Sequence, residues 1–246
     1  MIMSVSLSAA FWGATKVLCV MLIAGSSTVF GERPKWSGDI NRIMDRLIND
    51  MPLRNGLEEL LKNSKDWYVE ISLPSDDRFI LLISDFTNDS FHIVDLGGMD
   101  SKRVTQWRRW ADDSALSVAG EGGQGLGGKS AMINIPSEHS TIETVKDGIL
   151  NKMGFDPNAG GMARYSPAYV IGDDGLAMKD IACKDAHTRL VDLLSKMGIK
   201  LSAWDEWEEF QETLKVRQSY TVVTLKGLRD HIPKGHREQV QFARDL

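Results

Sequence analysis

Residues 53–67 read LRNGLEELLKNSKDW, and this stretch constrains the fold more than any other. At roughly 100° per residue, Leu53, Leu57, Leu60, Leu61 and Ser64 fall on one stripe about 100° wide. Glu59, Asn63 and Asp66 gather within about 60° on the opposite flank, at spacings i, i+4 and i+7. One side of this helix therefore needs an apolar partner layer, and the other presents a carboxylate, a carboxamide and a carboxylate in a row. A solvated outer face is the ordinary fate of such a row. A chemical use also exists. A hard cation such as Mg²⁺ takes oxygen ligands and keeps several waters, so a neutral Asn oxygen can serve as one of its few protein ligands. A carboxylate one helical turn away can orient and deprotonate a water for attack on a phosphate. Glu59 and Asn63 stand in that relation.

The partner layer is predicted directly downstream. Residues 67–73, 79–86 and 91–96 are short β-branched and aromatic runs separated by turn-formers, which reads as three strands in a meander. Residues 101–111 are helical in pattern, as are 39–49 before the information-rich stretch. A short helix from Lys129 ends at Pro136. The section 137–200 mixes turns with a helix near 187–197. Residues 203–214 place Trp204, Trp207, Phe210 and Leu214 at helical spacing, a packing face. Residues 220–225 (YTVVTL) form a late strand and 234–245 a closing helix. This order predicts an α+β sandwich, a mixed sheet covered on one face by helices.

The boundaries divide the chain into a hydrophobic N-terminal segment and linker (1–32) and one domain (33–246). Residues 9–26 are apolar apart from Lys16 and small polar residues; a hydrophobic element without targeting role, a signal and an anchor are all open readings, and a membrane association is expected only if this segment is an anchor. A net charge of −5 exerts no global pull toward nucleic acid or anionic lipid. Cys19 and Cys183 cannot build a disulfide framework, and no zinc-ligand spacing is present.

Residues 120–130 (GEGGQGLGGKS) admit three readings. Gly123 to Ser130 matches the P-loop spelling G-x-x-x-x-G-K-[ST], and Gly120 to Gly125 matches the dinucleotide fingerprint G-x-G-x-x-G. The third is a glycine-rich lid over a nucleotide held by residues elsewhere. A P-loop needs a buried parallel strand before it and a sizeable helix after it. Here ALSVA (115–119) is a weak strand, and Pro136 follows Lys129 by seven residues. Residues 169–173 (YVIGD) read as a Walker B strand and support the P-loop. No strand and long helix frame the dinucleotide spelling. The lid reading accounts best for the surroundings, with Lys129 and the start of its helix meeting phosphates.

Glu59-Leu-Leu-Lys-Asn63-Ser-Lys-Asp66 resembles the N box of the GHKL ATPases, the superfamily of gyrase B, Hsp90, MutL and histidine kinases. Asp95-Leu-Gly97-Gly98-Met99 resembles the next box, usually D-x-G-x-G-M; the glycine segment falls at the lid position, and Ser219-Tyr-Thr221 resembles the strand that closes the adenine pocket. GGMDSKRVTQWRRWA, GLGGKSA and SYTVVTLKGLRDHIPKG are similar to segments of the SMC hinge-domain-containing chromatin proteins and the MORC-type ATPases. The resemblance implies a Bergerat-type two-layer fold that binds ATP with Mg²⁺, hydrolyses it slowly and uses it as a dimerisation switch, in a nuclear, chromatin setting. It implies Glu59 as general base and Asn63 as Mg²⁺ ligand, with Asp66 supporting the site. Asp95 reads adenine, and Gly97, Gly98 and Met99 shape the base pocket. Gly123, Gly125, Gly127, Gly128 and Lys129 cover the phosphates, and Thr221 assists at the base. The sequence departs from the family pattern in two places: the two glycines of the Asp95 box are adjacent, and Leu96 stands where Asn is common. A non-hydrolysing nucleotide-binding module and a P-loop NTPase are the alternatives.

Overall fold

The computed structural model describes residues 52–85, 88–108, 126–197 and 204–228, together with the backbone of three short strands nearer the N-terminus. Those strands are β1 (Val5–Ser6), β2 (Lys16–Met21) and β3 (Val29–Phe30). Helix α1 (Leu53–Glu70) leads into β4 (Phe79–Asp85) and β5 (Ser90–Asp95), followed by α2 (Ser101–Trp107) and α3 (Leu126–Asn134). Then come β6 (His139–Lys146), β7 (Ile149–Phe155), β8 (Ala168–Ile171) and β9 (Ile181–Ala182). Helices α4 (Ala186–Lys196) and α5 (Trp207–Arg217) precede β10 (Tyr220–Lys226).

The strands form one 10-stranded mixed sheet in the order β1-β2-β4-β5-β10-β6-β7-β8-β3, with β9 beside β7. Strands β2 and β4 run parallel; the other pairings among the described strands are antiparallel. The architecture is α+β. Among the described residues no helix is long and apolar enough to cross a membrane.

Successive strand residues point to opposite faces, and both faces are used. One buries Ile80, Leu82, Ile93, Val223, Ile142 and Met153 under α1 and α3. The other buries Phe79, Leu81, Val94, Val222 and Tyr220 under α4 and α5. This second helical layer differs from the expected single covered face. Its cause is legible in strands such as FILLISD, in which both alternating sets are buried, as they must be in a sheet packed on two sides. Phe79 meets Trp204 and Phe210 edge-on there, at centroid distances of 6.3 and 5.7 Å. Arg189 of α4 and the Tyr220 hydroxyl both bond Glu143 of β6, at 2.9 and 2.8 Å.

Three expectations are corrected. Residues 67–70 continue α1 and are not strand, because Tyr68 extends the buried stripe of Leu57, Leu60, Leu61 and Ser64 by another turn. The 137–200 section holds the long β6–β7 hairpin rather than turns. Asp147 and Gly148 sit at φ +51° and +74°, the two-residue Asp-Gly turn whose twist matches that of antiparallel strands. The helix expected from Lys129 starts at Leu126, so Gly127 and Gly128 lie within it. The predicted helices at 39–49 and 234–245 lie outside the described residues.

Candidate functional site

Register concentrates polarity at one end of the α1-facing side of the sheet. Asp95 pairs with Thr221, Thr221 with Thr144, and Thr144 with Asn151, forming one polar row across four strands. Two residues inward, Leu82, Ile93, Val223, Ile142 and Met153 form an apolar row. A cavity opens above this boundary, with Asp95, Thr221, Val223 and Ile142 as its floor. A floor with an apolar bed and a polar edge suits a flat heterocycle with hydrogen-bonding substituents.

The flank of α1 forms one wall. Glu59, Asn63 and Asp66 all line the cavity, and Gly127, Gly128 and Lys129 of α3 face them. Helix α3 comes close to α1 because both use small residues at the crossing. The position a Gly56 Cβ would take is 2.1 Å from the Ile135 side chain and 3.0 Å from the Ala131 Cβ. Glycine is equally required opposite the polar row. A Cβ on Gly127 would stand 2.3 Å from Glu59 Oε2, and one on Gly128 would stand 2.2 Å from Asn63 Nδ2. The α3 backbone thus lies directly against the two α1 residues assigned to chemistry. Lys129 is buried, with its ammonium 5.7 Å from the Trp107 ring centroid.

At the other end of α1 the chain after β5 makes a fastened turn. Asp95 accepts from Ser64 Oγ at 2.9 Å and from the Gly97 N–H at 2.9 Å. Burial pushes its carboxyl up to about 6, against the opposing pull of the Gly97 amide and the Ser64 hydroxyl. The Tyr68 hydroxyl accepts from the Leu96 N–H at 2.7 Å, and Trp67 Nε1 donates to Gly98 O at 2.8 Å. Ser219 Oγ donates to Leu96 O at 2.8 Å, and Lys146 Nζ to Gly97 O at 3.3 Å. The adjacent glycines that depart from the family spelling are accommodated this way. The Trp67 ring fills the space beside Gly97, and Gly98 takes φ +63° with Val145 O only 2.4 Å from where its Cβ would be. Gly98→Ala therefore meets both a left-handed backbone and a carbonyl clash; urea unfolding is expected to show a loss of at least about 2 kcal/mol. Equal stability in the variant would contradict this turn geometry.

The cavity brings together Glu59, Asn63, Asp66, Asp95, Met99, Gly127, Gly128, Lys129 and Thr221, with Gly97 and Gly98 directly behind Asp95. Gly123 and Gly125 lie outside the described residues. Leu96 points into the opposite core, away from the cavity. Other lining residues went unassigned in the sequence. Ser64 counted as packing yet holds Asp95. Trp67 counted as strand. Arg103 stacks its guanidinium 4.9 Å above the Trp67 ring and pairs with Glu70 at 3.4 Å, at the edge of the cavity. The Asp-Gly turn was the available signal for β6, and with it for Ile142 and Thr144.

Strand β8, which contains most of the Walker B candidate, runs antiparallel to β7 near the far edge of the sheet. A P-loop site requires parallel strands feeding its phosphates, so this strand gives that alternative no support.

No protein-family model matches the chain. No curated protein matches it either. Among solved structures, the chain is similar to the ATPase and transducer domains of DNA topoisomerase II from Balamuthia mandrillaris, at 18% identity and a TM-score of 0.40. The similarity covers 75% of this chain and 39% of that one. A TM-score of 0.40 is too low to place the chain in a family, and its function has to be read from the site.

Proposed function

We propose that this chain is a GHKL-type ATP-binding domain that takes ATP with Mg²⁺ and hydrolyses it slowly as a conformational switch. One observation carries the reading. A single cavity holds a buried carboxylate on an apolar floor near one end of α1 and a carboxylate, a carboxamide and a buried lysine nearer its start. From Glu59 to Trp67 the helix advances roughly 12 Å, a length comparable to that between a nucleotide's base and its outer phosphates. The base lies over Val223 and Ile142 with its amino group toward Asp95, and the phosphates lie toward Lys129.

The residues fit a hard cation in chemical type. Asn63 lines the cavity one turn from Glu59, and its carboxamide oxygen would serve as a protein ligand to Mg²⁺, which takes water and phosphate oxygens as well. Mg²⁺, when bound, neutralises charge on the phosphates. Glu59, one turn before Asn63, accepts a proton from a water positioned for attack. Lys129 offsets charge gathering on the phosphate oxygens. Nucleotide binding favours pairing of two copies, the switch that the motif resemblance implies. A chromatin setting is supported by the motif resemblance alone.

Calorimetric titration with ATP, with and without Mg²⁺, tests the assignment. Wild type should bind in the presence of the metal, and Asn63→Ala should lose about tenfold of the Mg²⁺-dependent gain. Absence of ATP binding to the wild-type chain would end the proposal. Binding abolished by Lys129→Ala but untouched at Asp95 would favour the P-loop alternative.

A further inference from the structure

The α4-facing side of the sheet carries a second cavity, of about 230 Å³. Beyond the buried Leu81, Val94 and Val222 this face turns polar, continuing two residues further on through His92, Thr224 and Thr141. Lys152 of β7, Lys226 of β10 and Lys196 at the end of α4 also line the cavity, and Leu193 and Met197 form its helix side. The acceptors on its lining are already engaged. Asp85 accepts from the Asn88 N–H at 3.0 Å through one oxygen and from Asn88 Nδ2 at 2.7 Å through the other. Glu143 accepts from Arg189 and the Tyr220 hydroxyl through Oε1 and faces Lys152 through Oε2. Both ring nitrogens of His92 are taken, by Ser90 Oγ at 3.2 Å and Thr224 Oγ1 at 3.0 Å.

The donors exceed these contacts. Lys152 reaches Glu143 at 3.4 Å and Lys196 reaches Asp192 at 2.6 Å, one ion pair each for ammonium groups that hold three N–H donors. Thr141 is 4% exposed, and its hydroxyl makes no hydrogen bond among the described residues. A polar atom at so buried a position calls for a partner from within the cavity. The histidines feel the same sign of field. Burial and then Lys152 bring His92 down to about 4; burial and then Lys226 hold His139 below its ordinary value, against the pull of Glu138. We infer that this cavity is a second ligand site, which takes the phosphoryl group of a small phosphate monoester on Lys152, Lys196 and the Thr141 hydroxyl. The carbon remainder lies against Leu193 and Met197. A volume below the roughly 300–1,000 Å³ of drug-sized pockets restricts that remainder to a few carbons. The site lies on the opposite face of the sheet from the proposed nucleotide cavity and does not depend on that reading.

Calorimetric titration of the full chain with n-butyl phosphate and, separately, with inorganic phosphate tests the assignment. Wild type should bind at least one of them with a Kd of about 1 mM or tighter, on charge-assisted hydrogen bonds. Tighter binding of the ester supports the site with an organic ligand, and equal binding supports it with free phosphate as the ligand. Lys196→Glu reverses a charge on an exposed helix end, where the fold has little at stake, and should weaken binding by about tenfold or more. Lys215→Glu makes the same change of net charge on the exposed surface of α5 and should stay within about twofold of wild type. Thr141→Val separates binding from packing. Removing a buried hydroxyl without a protein partner should leave stability unchanged or raised, while affinity for the phosphate falls about fivefold. A wild-type chain that binds neither compound overturns the inference. So does a Lys196→Glu chain that binds as wild type does, or one that loses no more than Lys215→Glu, since the phosphate would then be held elsewhere. A folded Thr141→Val with unchanged affinity overturns it as well.

Discussion

Asp95→Asn should weaken ATP binding by roughly a hundredfold in calorimetric titration, the cost of replacing a charged acceptor at a buried site, and should also make the protein more stable at neutral pH. The two effects share one cause. Asp95 lies 4% exposed, and burial raises its carboxyl from 3.8 to about 6 against the pull of the Gly97 amide, the Ser64 hydroxyl and the Gly98 amide. A carboxyl whose folded value lies above its unfolded value costs nothing below pH 3.8, where both states hold the proton. The cost grows as pH rises toward 6 and is constant above it. Over about two pH units this amounts to roughly 3 kcal/mol. Asparagine keeps the geometry, accepting from Gly97 and donating to Ser64, without the charge. Denaturant unfolding should find wild type and variant close at pH 4 and separated by about 3 kcal/mol in favour of asparagine at pH 7. Wild-type affinity should climb between pH 5 and 7 and then level, as the acceptor ionises. An Asp95→Asn chain that binds ATP normally would place base recognition elsewhere.

Glu59→Ala should reduce phosphate release by about 10² to 10⁴, the contribution of a general base, while ATP affinity changes little. The separation is expected because Glu59 lies at the α3 end of the cavity, packed against the Gly127 backbone, and the proposed base contact is at the Asp95 end. A steady-state assay of phosphate release beside a binding titration measures both. Release that persists at the wild-type rate would remove Glu59 as base, and activity absent from both chains would favour the non-hydrolysing alternative.

The site was more legible in the sequence than the sheet that carries it. Glu59, Asn63 and Asp66 could be placed on one flank because helical periodicity is local, whereas Asp95 and Thr221 were singled out by the resemblance of their short motifs to the family's boxes. Their direct pairing across β5 and β10 is a long-range register that local pattern does not encode. Ser64 shows the same limit at one residue. Its angular position put it correctly against the sheet, but whether a buried position there meets a leucine or a carboxylate depends on which strand lies beneath. Trp67 and Tyr68 read as strand because aromatic residues favour sheets, whereas the buried stripe through Tyr68 prolonged the helix. The second helical layer was missed for a related reason. Continuous apolar strands signal burial on both faces, whereas the β-branched and aromatic content of FILLISD and its flanking turns mark it only as a strand.

Strand β10 lies between β5 and β6, although it follows both in the chain by a long interval. A nascent polypeptide that has emerged only as far as α5 possesses two sheet halves with no strand between them, one edged by β5 and the other by β6. The keystone that closes the sheet also supplies Thr221 and Val223 to the cavity floor. Translation must therefore proceed past Lys226 before the cavity floor is complete, and pairings this distant in sequence form slowly. Truncated or prematurely released chains are consequently left with exposed strand edges that favour association with one another over folding.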